Sequence, residues 1–160
     1  MKKWLKIIAY VILATFAIAQ FFRPERTNPP IDAARTMQAQ LQVPPHVDAL
    51  LQRACQDCHT NNTNWPWYSN ITPVSWFVAD HVTEGRRELN FSEWAKYDAK
   101  RADHKLEGIS EVVEERAMPL PSYLPLHSHA RLSEEDIRTL SAWAKAERVR
   151  LNGSAQMVVP

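Results

Sequence analysis

Two cysteines three positions apart, followed at once by a histidine, constrain this chain more than any other feature of its sequence. Cys55 and Cys58 are the only cysteines present, and His59 comes directly after them. This is the spacing of a c-type haem attachment site, where each thiol forms a thioether to one haem vinyl group. The adjacent histidine can then give a neutral imidazole nitrogen to the iron. The motif therefore predicts one covalently attached haem c.

Three other uses of these cysteines account for less of the pattern. A zinc site takes about four ligands, but the chain has no second cysteine pair, and His127 and His129 are too close together to supply the usual histidine pair. A thioredoxin-like redox pair would need a βαβ setting, and no β pattern flanks the motif. A disulfide between the two cysteines would leave His59 without a role.

Residues 1–22 are predicted to carry the rest of the chain out of the cytoplasm. They begin with lysines and continue into an apolar run at 7–19, which is typical of a secretory signal peptide or of an uncleaved membrane anchor. As a helix, the segment would span roughly 28 Å, close to a hydrocarbon core, which favours the anchor. Because the lysines keep the N-terminus inside, we expect the domain on the periplasmic side of the bacterial inner membrane. Cleavage near Ala19 would instead give a soluble periplasmic protein.

Charge excludes one class of partner. The chain has 19 Lys and Arg against 18 Asp and Glu, and residues 1–22 hold three lysines and no acid, which leaves 16 basic and 18 acidic residues beyond them. Such a balance provides no basic stripe for nucleic acid. We expect redox proteins of the cell envelope as partners, the membrane through the N-terminal segment, and no nucleic acid.

Three segments are predicted beyond the N-terminal one. Residues 23–44 are rich in proline and lack a sustained apolar period, which indicates an extended tether, part of which could wrap the domain. Residues 45–152 are long enough for one domain, and their alanine-, leucine- and glutamate-rich composition predicts an all-α fold. Asn152-Gly153 should end the last helix, which leaves residues 153–160 as a C-terminal tail.

Two of the predicted helices rest on apolar spacing. A first helix over 45–57 would pack on the core and deliver Cys58 on the same face. A third helix over 98–116 is weakened by Gly108, so it could form two pieces.

The second and last helices carry start signals. Thr72 is expected to be the N-cap of the second helix with Pro73 at its first position, and Gly85 is its possible stop. Ser133 and Asp136 form the expected cap of the last helix.

The aromatic residues Trp65, Trp67 and Tyr68 lie in a polar segment without helical periodicity, close to the cysteine motif. They could wall the haem, with an indole N–H donating to a haem propionate. They could equally fill a small core, and the two roles are compatible.

Met118 is the candidate for the second axial ligand of the iron. It precedes Pro119 in a loop whose prolines fix the backbone, whereas Met37 lies in the tether and Met157 in the tail. A thioether is a suitable soft ligand and raises the reduction potential relative to a second histidine. Met118 could instead be a core residue that fills a gap.

Three histidines are rivals for that position. His127 and His129 lie in the same loop, and His81 lies on the second helix. A lone histidine is more often a hydrogen-bonded or solvated residue than a ligand, so Met118 is preferred.

Three aromatic segments carry a resemblance to a known family. They are NWPWYSN at 64–70, PVSW at 73–76 and LNFSEW at 89–94. Together with the cysteine motif, the Met-Pro pair and the tryptophan-bearing last helix, they resemble the mono-haem cytochromes c and, more narrowly, the bacterial haem-binding domain family. The similarity runs over about residues 23–150. Members of this family are exported, often membrane-anchored proteins with a single Cys-x-x-Cys-His.

The resemblance implies a cytochrome c-like helical domain wrapped round one haem. It implies covalent haem c on Cys55 and Cys58, His59 as the proximal iron ligand, and Met118 at the Met-Pro position of the family. It does not imply a reaction, because the family is defined by haem binding.

Two classes of function remain open. An electron carrier needs one haem with both axial positions of its iron filled. It needs no catalytic residue, and we assign none in this sequence. The alternative is a haem peroxidase or a gas or redox sensor with an open or labile distal position. A peroxidase uses a distal histidine and arginine as acid–base partners, and His81 with Arg86 or Arg87 is the candidate pair. We expect the electron carrier rather than an enzyme.

Overall fold

The architecture comes from a computed structural model that describes residues 1–156. Every regular element in that part of the chain is a helix, so the all-α prediction is confirmed. The α-helices are α1 (Lys2–Ala19), α2 (Met37–Gln40), α3 (Pro45–Ala54), α4 (Gln56–His59), α5 (Val74–Glu88), α6 (Ala99–Glu114) and α7 (Glu134–Gln156). Short 3-10 helices lie at Ala33–Arg35, Trp67–Asn70, Phe91–Lys96 and Ser128–Ala130.

Helix α1 buries none of its side chains. Its end is tied to the domain by Gln20, whose amide donates to the Thr72 carbonyl at 2.9 Å and accepts the Thr72 N–H at 3.0 Å. Among the described residues, no helix combines the length and apolar character that crossing a membrane would take. The membrane anchor predicted for residues 1–22 is therefore not supported.

The proline-rich segment 23–44 packs on the domain. Asp32 and Thr36 cap its two short helical turns through side-chain oxygens. Between them these turns bring Met37 into the core, where it is 0 % exposed, and Leu41 is buried beside it. The segment predicted to be an extended tether thus covers part of the core, because burying its two apolar side chains away from water is favourable.

Helices α6 and α7 form an antiparallel hairpin that supplies much of the core. Arg148 on α7 pairs with Asp103 and Glu107 on α6, and Lys145 pairs with Glu114 at the other end. Gly108 does not interrupt α6. The buried residues that line the core are Met37, Leu41, Val47, Leu51, Phe91, Trp94, Ala102, Leu106, Ile109, Val113, Leu132, Ile137, Leu140, Trp143 and Ala144.

The predicted cap of α7 is confirmed, but its predicted end is wrong. The Asp136 N–H donates to Ser133 Oγ at 3.1 Å and the Ser133 N–H to Asp136 Oδ2 at 2.9 Å. At the other end the helix continues through Gly153 to Gln156. The Asn152 side chain donates to Asp103 across the hairpin at 3.1 Å, so it does not turn back to cap the helix. Residues 157–160 of the predicted tail, including Met157, lie outside the described residues.

The predicted start of α5 is also wrong. Pro73, not Thr72, is the N-cap residue. Thr72 is fully buried, and its hydroxyl pairs with that of Ser75 at 3.0 Å. The helix runs on past Gly85 to Glu88.

Candidate haem site

The cysteine motif begins at a break between two helices. Helix α3 ends at Ala54, and Cys55 has a non-helical φ of −124° before α4 begins. The single helix predicted over 45–57 is therefore two helices. One turn of α4 then carries the rest of the motif, closed by the His59 N–H donating to the Cys55 carbonyl at 3.0 Å. The break lets α3 pack its buried side chains on the core while α4 faces a cleft.

Gly85 lets α5 approach this turn closely. A Cβ at Gly85 would lie 2.6 Å from the Cys58 carbonyl oxygen and 3.0 Å from the Cys58 Cβ. Real Cβ atoms do not approach a backbone oxygen so closely, so any other residue would force α5 and α4 apart. The glycine that looked like a helix stop is instead the point where two helices touch.

His59 is oriented by two backbone carbonyls at the end of α5. Its Nδ1 lies 3.0 Å from the Gly85 oxygen and 3.0 Å from the Leu89 oxygen. Since a carbonyl only accepts, Nδ1 carries the proton, and the lone pair is on Nε2. Burial lowers the pKa of His59, which favours the neutral ring. A neutral imidazole with its Nδ1–H fixed by a backbone carbonyl is the usual state of a metal-ligating histidine.

The two cysteines are free thiols in a partly buried setting. Burial, with a smaller effect of Cys58, raises the pKa of Cys55 to about 12. Burial and the charge of Asp57 raise the pKa of Cys58 to about 11. Both side chains are therefore uncharged near neutral pH. Zinc ligands and reactive nucleophiles need the charged thiolate, whereas a cysteine bound in a thioether is uncharged.

Two adjoining cavities open beside the motif, each of about 200 Å³. Both are bordered by the same five residues, Asp57, Cys58, His81, Leu120 and Tyr123. The first is otherwise walled mainly by α5 and the 120–127 loop, and the second by Cys55, His59 and Met118 among others.

The first cavity is apolar and accessible. Its wall residues Val74, Phe77 and Leu126 are 42 %, 52 % and 68 % exposed. A flat apolar group placed there would cover them. Cys58 lies at the edge that the two cavities share, and Cys55 and His59 line the second cavity. Two thiols and a neutral imidazole beside an apolar wall fit a haem.

Met118 lies in the wall of the second cavity, together with His59. The N–H groups of Ala117 and Met118 both donate to the Val112 carbonyl, at 2.9 and 3.1 Å. These bonds turn the chain at the end of α6 and fix the Met118 backbone. Its side chain is half-buried.

The rival histidines differ in their surroundings. His127 uses both ring nitrogens, with Nδ1 3.1 Å from the Tyr123 oxygen and Nε2 3.3 Å from the Tyr68 hydroxyl. His129 is exposed and is not among the residues that line the two cavities. His81 lines both cavities, and its Nδ1 lies 2.8 Å from the Phe77 carbonyl oxygen. Among these three, His81 is the remaining rival to Met118.

Of the three aromatic residues predicted to wall the haem, only Tyr68 is brought to a cavity. The Trp65 indole donates to Asn28 Oδ1 at 3.2 Å, because the proline-rich segment 23–44 passes over it. Trp67 begins a 3-10 helix at the surface and is 75 % exposed. Neither indole is among the residues that border the two cavities.

Tyr123 and Asp57 are site residues that the sequence did not single out. The Tyr123 hydroxyl donates to Asp57 Oδ2 at 2.7 Å, and its ring stacks on His127 with centroids 3.8 Å apart. Burial, the bond to Asp57 and its charge raise the pKa of Tyr123, so it stays a donor. A tyrosine between Pro121 and Pro125, in the loop that also holds Met118, was the available signal.

The arginines proposed as partners of His81 are occupied elsewhere. Arg86 donates to the Thr60 and Thr27 carbonyls and to Thr63 Oγ1, each at 2.8 Å. Arg87 forms ion pairs with the glutamates at 84 and 88 on its own helix. Neither arginine lines the two cavities, so the distal His–Arg pair is not assembled.

Comparison with known proteins supports a haem-binding domain. The sequence profile of the haem-binding domain family matches residues 14–146. No curated protein and no solved structure matches the chain. The matched range contains the cysteine motif, Gly85 and Met118, and it covers most of the described residues. The chain therefore belongs to the haem-binding domain family, and its cofactor is haem.

Proposed function

We propose that this protein carries one covalently attached haem c and transfers single electrons outside the cytoplasm. The observation that carries the proposal is the state of His59. Its Nδ1–H is fixed by two carbonyls, which leaves Nε2 as the ligating nitrogen beside two uncharged thiols.

Cys55 and Cys58 form the thioethers. Each thiol would bond one carbon of a haem vinyl group, with its hydrogen going to the other carbon and nothing leaving. The linkages replace ionisable thiols by uncharged groups, which suits a site whose burial already disfavours the thiolates.

His59 and Met118 complete the coordination. His59 Nε2 and the Met118 thioether would serve as the proximal and distal ligands, a pair that gives a higher reduction potential than two histidines. The bound haem supplies reversible one-electron chemistry at its iron. The chain holds the His59 ring and the Met118 backbone in place, and it would cover the haem with apolar side chains such as Phe77 and Val82, which keep water away.

Electron transfer is favoured over peroxide chemistry by the placement of the arginines. A peroxidase needs a cation beside its distal histidine. Arg86 and Arg87 are held by other partners. Met118 in the cavity wall, by contrast, suits a closed iron.

Export is part of the proposal. Residues 1–22 would direct the domain to the periplasmic side of the inner membrane, where its partners are redox proteins of the cell envelope. The basic start and apolar run of this segment support that route.

The test is the absorption spectrum and the intact mass of the protein matured in a periplasm. We expect a mass increase of one haem, a c-type reduced spectrum, and the weak long-wavelength methionine-to-iron band after oxidation. Cys55→Ser and Cys58→Ser should each leave the haem attached through a single thioether. A high-spin spectrum would indicate an iron with an open distal position and would favour a sensor or a peroxidase instead. A protein without haem bands would contradict it.

A further inference from the structure

We propose that Tyr97 is a positioning residue for His59, acting through the peptide group between Leu89 and Asn90. The proposal rests on His59 being the proximal ligand. The Leu89 carbonyl oxygen lies 3.0 Å from His59 Nδ1, and the Asn90 N–H donates to the Tyr97 hydroxyl oxygen at 3.0 Å. These two bonds use the two ends of one planar peptide group.

The Leu89 carbonyl is the acceptor that Tyr97 can influence. The other acceptor, the Gly85 carbonyl, also takes the Leu89 N–H at 2.9 Å and is therefore shared. Leu89 follows the end of α5 in an extended conformation, with φ −150°. Its carbonyl is thus turned away from the helix axis and toward His59.

The peptide group is held from both sides. The buried Asn90 side chain donates to Asn61 Oδ1 at 2.9 Å and accepts the Ser92 N–H at 3.0 Å. The Tyr97 ring packs edge-on against Trp94, with centroids 5.4 Å apart. Because Asn90 fixes the backbone independently, loss of the Tyr97 hydroxyl should change the charge distribution of the peptide more than its direction.

The electronic effect has a defined sign. A hydrogen bond to the N–H end of a peptide polarises the group and makes its carbonyl a stronger acceptor. A stronger acceptor at Nδ1 makes the His59 imidazole more basic and stabilises oxidised iron. Tyr97 therefore lowers the reduction potential.

The chain of bonds ends at the surface. Tyr97 lines a groove of about 500 Å³ with Arg87, Lys96, Arg101, His104 and Lys105. Lys96 Nζ lies 5.5 Å from the centroid of the Tyr97 ring. This lysine provides the control, because removing its positive charge should stabilise oxidised iron and lower the potential, whereas removing the Tyr97 hydroxyl should raise it.

The test compares wild type with Tyr97→Phe and Lys96→Met as full-chain holoproteins. The readouts are the midpoint potential and the solvent exchange of the His59 Nδ1 proton, followed by NMR in the reduced, diamagnetic state. We expect a more positive potential and exchange faster by about two- to tenfold in Tyr97→Phe, and a less positive potential in Lys96→Met. A singly fluorinated tyrosine at position 97 has a hydroxyl that is a weaker acceptor, so it should raise the potential by less than Tyr97→Phe does. This variant replaces Tyr97→Phe in the test if Tyr97→Phe does not fold.

An unchanged potential and exchange rate in Tyr97→Phe, with His59 still bound to iron, would overturn the inference and leave the proposed function intact. Shifts of the same sign in Tyr97→Phe and Lys96→Met would also overturn it. If wild type itself lacks a His59-ligated iron, the proposed function fails. The inference about Tyr97 then fails with it, because it rests on that ligand.

Discussion

The two sides of the haem site are built in different ways. On the His59 side, α5 touches the motif where Gly85 has no side chain, and two carbonyls hold the ring. On the Met118 side, a loop follows α6, and Met118 itself is fixed only through its backbone, by the bond to the Val112 carbonyl. The Met118 side chain is half-buried and lines cavities on two sides.

This difference indicates which of the two proposed ligands is already ordered before haem binds. A side chain that is already ordered loses little conformational entropy when it binds. His59 is such a group, whereas a methionine has flexible torsions and no polar atom to anchor. We infer that the chain preorganises the proximal ligand and that haem binding completes the distal one.

The largest effect should come from His59→Ala. Without the imidazole the iron loses its proximal ligand, so the low-spin spectrum should disappear in both oxidation states. Added imidazole should restore it, because the cavity left by the side chain is lined for a ring. The measurement is the absorption spectrum with and without imidazole.

His46→Ala is the matched control, since His46 is exposed at the start of α3. Its spectrum should equal that of wild type. A low-spin spectrum in His59→Ala without added imidazole would show that another residue can take the proximal position, and the contrast between the two sides would fail.

Gly85→Ala should have the next largest effect. Its Cβ would meet the Cys58 carbonyl at 2.6 Å, so α5 must move away and both bonds to His59 Nδ1 must lengthen. We expect a loss of roughly 1–3 kcal/mol in the free energy of unfolding, as for overpacking, and a lower ratio of haem to protein. Denaturant unfolding and the haem content measure the two effects.

Gly108→Ala is the matched substitution elsewhere. Nothing lies within 4 Å of a Cβ there, in the middle of α6. Alanine should stabilise that helix by about 1 kcal/mol and leave haem content unchanged. Equal results for the two glycines would mean that the close approach at Gly85 is unimportant.

The sequence predicted what depends on local spacing. The motif placed two thiols and an imidazole on one turn, and the Ser133–Asp136 pair predicted the start of α7. Both signals involve residues within one or two turns, where backbone geometry alone sets the distances.

What the sequence did not predict depends on contacts between distant segments. Gly85 looked like a stop because its partner, Cys58, lies 27 positions earlier in the chain. Met37 was assigned to a tether because nothing local shows that α2 is covered by the rest of the core. Trp65 and Trp67 match haem-wall chemistry, but the Trp65 indole bonds Asn28 of the proline-rich segment and Trp67 is exposed at the surface.

Met118→Ala should leave attachment intact and open the distal side. The covalent haem and the His59 bond should remain, the long-wavelength methionine band should vanish, and reduced iron should bind carbon monoxide. The potential should also fall, since a thioether favours reduced iron. Spectra with and without carbon monoxide measure this effect.

Met37→Ala is the matched control, because Met37 is fully buried in the core away from the cavities. It should cost about 2–5 kcal/mol of unfolding free energy without opening the iron. If Met118→Ala leaves the spectrum unchanged, Met118 is not the distal ligand and His81 becomes the candidate.

The smallest effect should come from Tyr123→Phe. The Tyr123 hydroxyl ties the distal loop, the segment after α6 that holds Met118 and Tyr123, to Asp57 of the motif at 2.7 Å. Phenylalanine would keep the stacking on His127. We expect a loss of about 1 kcal/mol in the free energy of unfolding, at the low end for a bond to a carboxylate because the group is partly solvated. The spectrum should not change, but carbon monoxide should bind reduced iron faster, because a looser loop lets the Met118 thioether dissociate more often.

Tyr10→Phe separates this effect from a general loss of a phenol, since Tyr10 is 70 % exposed on α1. Stopped-flow mixing with carbon monoxide compares the two variants with wild type. Faster binding in Tyr123→Phe alone would show that the bond to Asp57 holds the distal loop on a motif whose proximal side is already fixed. Equal carbon monoxide binding rates in all three proteins would mean that the backbone bonds to Val112 alone hold the loop as firmly as α5 is held. The His59 and Met118 sides would then not differ in their preorganisation.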